Sequence, residues 1–469
     1  NAYDGQIGIG TSALASLTTG AGNTAVGYTA MNDLVDGARN TAIGYNAFGG
    51  TFADTTADGS TDNTFIGHNA GSGNWTTATS LYNVGIGSGV MTGAMQGAGE
   101  NIGIGYEALA ALTTGDENIV IGFQSGDAVT TQSSLVLIGR RAGGAINDNA
   151  ADGTVAVGKS ALEALTSGDG NTAIGYQSQD ANTTSGKNTS VGYSSLGAVS
   201  TSASNTGNTA VGYNAGLGIT TGLYNTVMGW EAGDTQNVTG AVYMGQAAGS
   251  DGTGNYCTFI GMESGSTGNN TQAGTVGVGY QTLKALTSGS GNVAIGYQAA
   301  DSVGTGGNNT IVGHLALATA NTAAVNNTAL GSGALGSASS STTTSNIAIG
   351  MGALTGGSGD LTGCIAIGKT ALDDTAGHNH TGTIAIGHSA LTALTSGAGN
   401  TAVGYNSGKL ITTGASNTIF GHGAMDATPV AAASNVAIGT SAMGGASSGQ
   451  TASDNNVAIG YQAMSAVLN

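Results

Sequence analysis

Residues 163–178 read EALTSGDGNTAIGYQS, residues 284–299 read KALTSGSGNVAIGYQA and residues 392–407 read TALTSGAGNTAVGYNS. A phrase that returns in this way signals a repeat architecture, in which each unit is too small to bury its own apolar face and must stack on its neighbours. Anchored on the Gly that follows an apolar residue, mostly Ile or Val, the phrase occurs in 26 copies from Gly10 to Gly460, spaced 16 to 23 residues apart. With that Gly as position zero, −1 is apolar in every copy, and −3 is always Thr, Val or Ile. Position −4 is Asn in 18 copies, Asn23, Asn40, Asn171 and Asn400 among them, and +3 is Ala or Ser in 24. No charged side chain falls between −4 and zero.

β-branched residues favour strands. The pattern predicts a five-residue strand over −4 to zero, followed by a second short apolar segment such as ALTAL (390–394). Runs such as TTG, TSG and GxGN supply the turns, and Gly27, Gly44, Gly175 and Gly404 mark the invariant one. Length variation falls in the loops, as in 50–62. The fold class expected is all-β: a parallel β-solenoid of about 26 coils, forming one continuous repeat domain over 1–469. At ~4.8 Å per coil this would make a rod of roughly 125 Å. The Asn residues at −4 would form a ladder of side-chain amides that satisfies backbone groups.

Side chains alternate along a strand. Position −2 is Ala or Gly in 17 copies, Ser once and bulky apolar in the rest, such as Phe65, Leu137 and Tyr243. A strand uncharged on both faces reads as buried on both. The expectation is that −3 and −1 fill the coil interior, while the small-residue face meets the same strand of another chain. A symmetric homo-oligomer follows from that reading.

Composition narrows the function. Gly supplies 86 of 469 residues, Pro one, and charged residues 7%, far from ordinary globular usage. The net charge of −18 disfavours nucleic acid. No apolar stretch is long enough for a membrane span. The opening NAYDGQIGIG has no initiator Met and no basic-then-apolar leader, so the chain reads as a processed or partial product without terminal anchor or chaperone domains.

Two stretches match the phosphate-binding pattern G-x-x-x-x-G-K-[ST]: GTVAVGKS (153–160) and GCIAIGKT (363–370). In a true phosphate loop the apolar strand precedes the first Gly. Here it lies inside the motif, so Lys159 and Lys369 simply occupy the +1 slot that Tyr fills elsewhere. His68, His314, His388 and His422 share that slot and read as amphipathic side chains with their tips toward solvent. His378 and His380, in AGHNHTG, form a loop pair that could hold a metal but lack a third ligand. Asp54, Asp58 and Asp62 read as solvated loop residues. Cys257 and Cys364 both occupy −4, roughly 29 Å apart at ~4.8 Å per coil, too far for a bond within one chain. Thr at −3 raises an ice-binding array, but its exchange with Val and Ile fits burial better. Asn74 and Asn237 lie in glycosylation sequons. No catalytic pair and no cofactor site emerges.

The phrase GNTAVGYNA and its relatives resemble the head repeats of YadA-like trimeric adhesins and, more closely, the repeats of bacteriophage tail-fibre proteins. The resemblance covers essentially the whole chain. It implies a left-handed parallel β-roll assembled as an intertwined or side-by-side homotrimer, used as an extracellular fibre shaft or adhesive head, with no enzyme activity. Adhesin head repeats are shorter than these. The function expected is a virion tail-fibre shaft that presents host-binding loops, with 50–62, 142–153 and the loop around His378 as contact sites for a surface receptor such as a polysaccharide. The alternatives are a bacterial surface adhesin, a self-polymerising extracellular filament and, with no repeating acidic pair to support it, a monomeric polysaccharide-processing solenoid.

Overall fold

A computed structural model describes residues 4–465 apart from 53–58, 77, 201–205, 253, 268–272, 320–322, 338–342, 357–358, 376–377, 428–430 and 446–453. The chain is a parallel β-solenoid that divides into two compact units, Asn1–Thr239 and Gly240–Asn469. Each unit carries thirteen three-residue strands that occupy positions −3 to −1 of successive copies, from Ile7–Ile9 to Thr226–Met228 in the first and from Val242–Met244 to Val457–Ile459 in the second. The register never slips: Thr24, Ala25 and Val26 pair with Thr41, Ala42 and Ile43, and these pair with Thr64, Phe65 and Ile66, although the two steps differ in length. The second unit adds a short side ladder of Thr343–Thr344, Leu361–Thr362 and His380–Thr381.

The strand is shorter than the five residues expected because the chain leaves the extended region at position zero. Gly27, Gly44, Gly175 and Gly404 have φ of 143°, 139°, 141° and 143°. Their N–H groups still join the ladder: Gly27 N donates to Ile9 O and Gly44 N to Val26 O, both at 2.8 Å. A Cβ on Gly27 would collide with the carbonyl oxygen of Gly44 in the next coil. Both the dihedral angle and the close approach demand glycine. Beyond it, the second apolar segment forms a series of turns rather than a strand. Residues at +2 and +4 sit in the left-handed region, as Asn46 and Phe48 do at φ 52° and 50°.

The coil interior holds the opposite strand face from the one expected. The −2 side chains Ala25, Ala42, Ala156 and Ala173 are fully buried, whereas −3 and −1 keep part of their surface open in the single chain. The cause is a lack of room. Position −2 shares the interior with the +3 and +4 residues of its own coil, so a small side chain at −2 fits beside Met31, Phe48 or Leu162 at +4. Where −2 is bulky, +4 is usually Gly: Phe65 with Gly71, Leu137 with Gly143, Tyr243 with Gly249 and Phe259 with Gly265. A Cβ added at Gly71, Gly249 or Gly265 would run into the ring of its partner. In these coils the two positions exchange volume, as close packing favours. In the first unit Phe48, Phe65 and Trp75 form an aromatic cluster with centroids 4.7 to 5.9 Å apart, and Trp75 Nε1 donates to Gly71 O at 3.0 Å.

The −4 row is a buried amide ladder. Asn40 N and Nδ2 donate to Asn23 Oδ1 at 2.9 and 3.2 Å, and Asn63 repeats the pair on Asn40. Most Nδ2 groups also donate to a turn carbonyl, Asn23 to Gly37 O at 2.7 Å, Asn171 to Ser185 O at 2.7 Å and Asn400 to Gly414 O at 2.8 Å, whereas Asn188 Nδ2 is buried without an acceptor. The ladder stops at Leu135, whose N–H still bonds Asn118 Oδ1, and resumes from Asn171.

Two outcomes follow for purified protein. Ala156→Phe overpacks a coil whose +4 residue is Leu162 and should cost about 1–3 kcal/mol, visible as a lowered Tm. Adding Leu162→Gly should recover most of that loss, and simple additivity of the two changes would refute the volume exchange. Asn83→Ala should destabilise by about 1–3 kcal/mol through stranded buried donors and acceptors, and an unchanged denaturation midpoint would refute the ladder's contribution.

Candidate functional site: the outward strand face and its flanking row

With the small residues turned inward, each coil presents its −3 and −1 side chains to the outside. These line up as Thr, Val or Ile beside Ile or Val in coil after coil within each unit. Ile43, Ile174 and Ile295 are each 39 to 40% exposed. No charge interrupts the stripe, which makes it the candidate interaction face of each unit.

Position +1 forms a row along its edge, which the sequence reading did not assemble. Tyr28, Tyr45 and His68 stack at 5.2 and 5.3 Å between centroids, Tyr176, Tyr193 and Tyr213 at 5.1 Å, and His388, Tyr405 and His422 at 5.2 and 5.0 Å. These spacings are the strand spacing of a sheet, so one aromatic slot per coil makes a stack unavoidable. The +1 histidines are thus ring partners as well as exposed tips. In sequence, the signal was the recurrence of flat side chains at one fixed offset. Lys159 and Lys369, from the two phosphate-loop look-alikes, lie exposed in the same row. The first Gly of each motif is a turn residue, Gly153 at φ 73° and Gly363 at φ 63°.

A polar row runs at +2. Gln124 Nε2 donates to Glu107 at 2.8 Å, Arg141 meets Glu163 at 3.2 Å, and Lys284 and Gln281 both bond Glu263. Those two donors, Lys284 first, hold the Glu263 carboxyl below its ordinary value. Asp62 is bonded bidentately by Arg39 at 2.6 and 2.7 Å rather than left to solvent. Asp54 and Asp58 lie outside the described residues.

The structure separates the histidine pair. His380 is fully buried with Nε2 bonded to Thr395 O at 3.1 Å, while His378 is exposed. One ring is buried and the other exposed, so the structure does not show the two sharing a site, and the pair gains no third ligand among the described residues. Among the described residues no group of three His, Cys, Asp or Glu side chains could hold a metal ion. Cys257 and Cys364 are buried thiols, not joined in a disulfide. In loop 142–153, Asp148 caps a short 3-10 helix, Asn149–Ala151, and Asp152 accepts from Ser133 N at 2.9 Å. The Thr residues at −3 face outward, so burial does not explain their exchange with Val and Ile. Asn237 Oδ1 accepts from the backbone N–H groups of Thr220, Thr221 and Gly222, and Asn74 accepts from Thr51.

No known protein-family model matches the chain, and no curated protein matches it.

Burial holds the His380 imidazole below its ordinary value of 6.5. The unfolded chain takes up that proton first, so the contribution of His380 to stability is present above pH ~6.5 and is lost as pH falls from there toward the lowered folded value. His380→Gln should flatten the fall in Tm between pH 7 and 5 relative to the parent. Parallel Tm–pH curves would contradict the assignment.

Proposed function

We propose that the chain is a non-enzymatic structural fibre segment of the tail-fibre or trimeric-adhesin kind, working outside the cell or on a virion as a homotrimeric spacer that presents surface-binding loops. The observation that carries this reading is the uncharged outward stripe of −3 and −1 side chains, repeated through the thirteen coils of each unit. Copies of the same chain cover it most simply, because every coil offers the same surface at the same level and cyclic association buries all of it. At about 25 cal/mol per Å² of apolar surface, even partial cover along many coils stabilises an assembly substantially. The stacked backbone bonds then make a stiff spacer, and association multiplies weak loop contacts by avidity.

A second reading rests on the outward Thr row, which runs unbroken through Thr172, Thr189, Thr209 and Thr226 in successive coils. Regularly spaced hydroxyl and methyl groups could order water, and thermal hysteresis of ice growth by the pure protein would favour that reading over the fibre.

Sedimentation equilibrium decides the first reading. The parent should run at three times the chain mass of 45.0 kDa, and a variant with Ile43→Lys, Ile174→Lys and Ile295→Lys should fall toward the single-chain mass while keeping its sheet signal by circular dichroism. A parent that sediments as one chain would end the proposal.

A further inference from the structure

The +1 row carries a charge bias that the stripe beside it does not need. The chain has 26 acidic and 8 basic side chains, yet no acid stands at +1 in any copy, while three of the bases do: Arg140, Lys159 and Lys369. Arg140 and Lys159 occupy consecutive coils, paired through Ile138 and Val157. Each lies against the ring at the end of a stack, Arg140 Cζ 5.7 Å from the Phe123 centroid and Lys159 Nζ 5.1 Å from that of Tyr176. The row therefore reads Tyr106, Phe123, Arg140, Lys159, Tyr176, Tyr193: two cations in consecutive coils, each leaning on the aromatic ring of the coil beyond it. Both cations are exposed, and among the described residues neither makes an ion pair. Adjacent Arg141 is already committed to Glu163. Two neighbouring like charges repel, and their cation–π contacts offset only part of that at exposed sites.

We propose that Arg140 and Lys159, with Phe123 and Tyr176 on either side, form a binding site for an acidic polysaccharide, the uronate carboxylate sitting between the two cations and the sugar rings against the aromatic row. This rests on the fibre reading and gives its receptor a chemistry and a place. The net charge of −18 opposes every polyanion, and opposes it more the more densely it is charged. A glycan carries one carboxylate per ring with apolar ring faces between, and it matches a row of cations flanked by aromatics.

The experiment measures binding of polygalacturonate to the full chain and to an Arg140→Gln/Lys159→Gln variant, with methyl-esterified polygalacturonate and polyphosphate as competitors and sedimentation run on both proteins. The expected result is saturable binding that weakens at least tenfold in the variant, with only polygalacturonate competing and sedimentation unchanged. Equal binding by parent and variant, no binding by either, or equal competition by polyphosphate would overturn the glycan site. A variant that loses self-association instead would assign the two cations to contact between chains and overturn it as well. Failure of the fibre reading shows separately, as a single-chain mass in the parent whatever the glycan does.

Discussion

Everything in this fold depends on how closely successive coils approach at the position-zero glycine. There the chain turns out of its strand with its N–H on the preceding coil and its α-carbon against the next coil's carbonyl. No side chain fits, and the coils lock at one spacing in one register. Within each unit, loops between copies vary in length without shifting the strand pairs of the described residues. Once the register is fixed, each offset from the glycine becomes a straight row: buried amides at −4, small side chains at −2, an apolar stripe at −3 and −1, and stacked rings at +1. The rows are properties of the stack, and no single coil possesses them.

The amide row shows how a structure this thin tolerates so much backbone near its centre. A coil with small side chains cannot keep its turn carbonyls far from the core, and an unpaired buried donor or acceptor costs about 1–3 kcal/mol. Asn at −4 supplies one acceptor to the next coil and one donor to a turn. Where Leu135 or Cys364 replaces it, the preceding Asn still serves the replacement's backbone N–H. The volume exchange between −2 and +4 does the same for packing, with Tyr243 against Gly249 standing in for Ala42 against Phe48.

Much of this was legible in the sequence because the glycine, the Asn and the β-branched residue recur at fixed offsets. The orientation of the strand was not. Neither face carries charge, so polarity could not tell inside from outside, and abundant β-branched side chains looked like core. The cue that does decide is non-local: Phe65 and Gly71, or Phe259 and Gly265, exchange volume over six residues, which only residues sharing one interior would do. The ring stacks escaped notice for a related reason, since an isolated Tyr28 or His422 says nothing until its neighbours in adjacent coils stand beside it. The His378 and His380 pair shows the opposite case, since two residues close in sequence differ in burial, one ring inside and the other exposed.

Strand orientation is the claim from which the outward stripe, and with it the functional reading, derives. It is tested most directly by comparing Thr172→Lys with Ala173→Lys by circular dichroism and thermal melting. The account predicts that Thr172→Lys keeps the sheet signal and a cooperative melt, whatever it costs in association between chains, while Ala173→Lys, which drives an ammonium into the fully buried row, loses much of both. A chain that tolerates lysine at 173 and fails with lysine at 172 would contradict it.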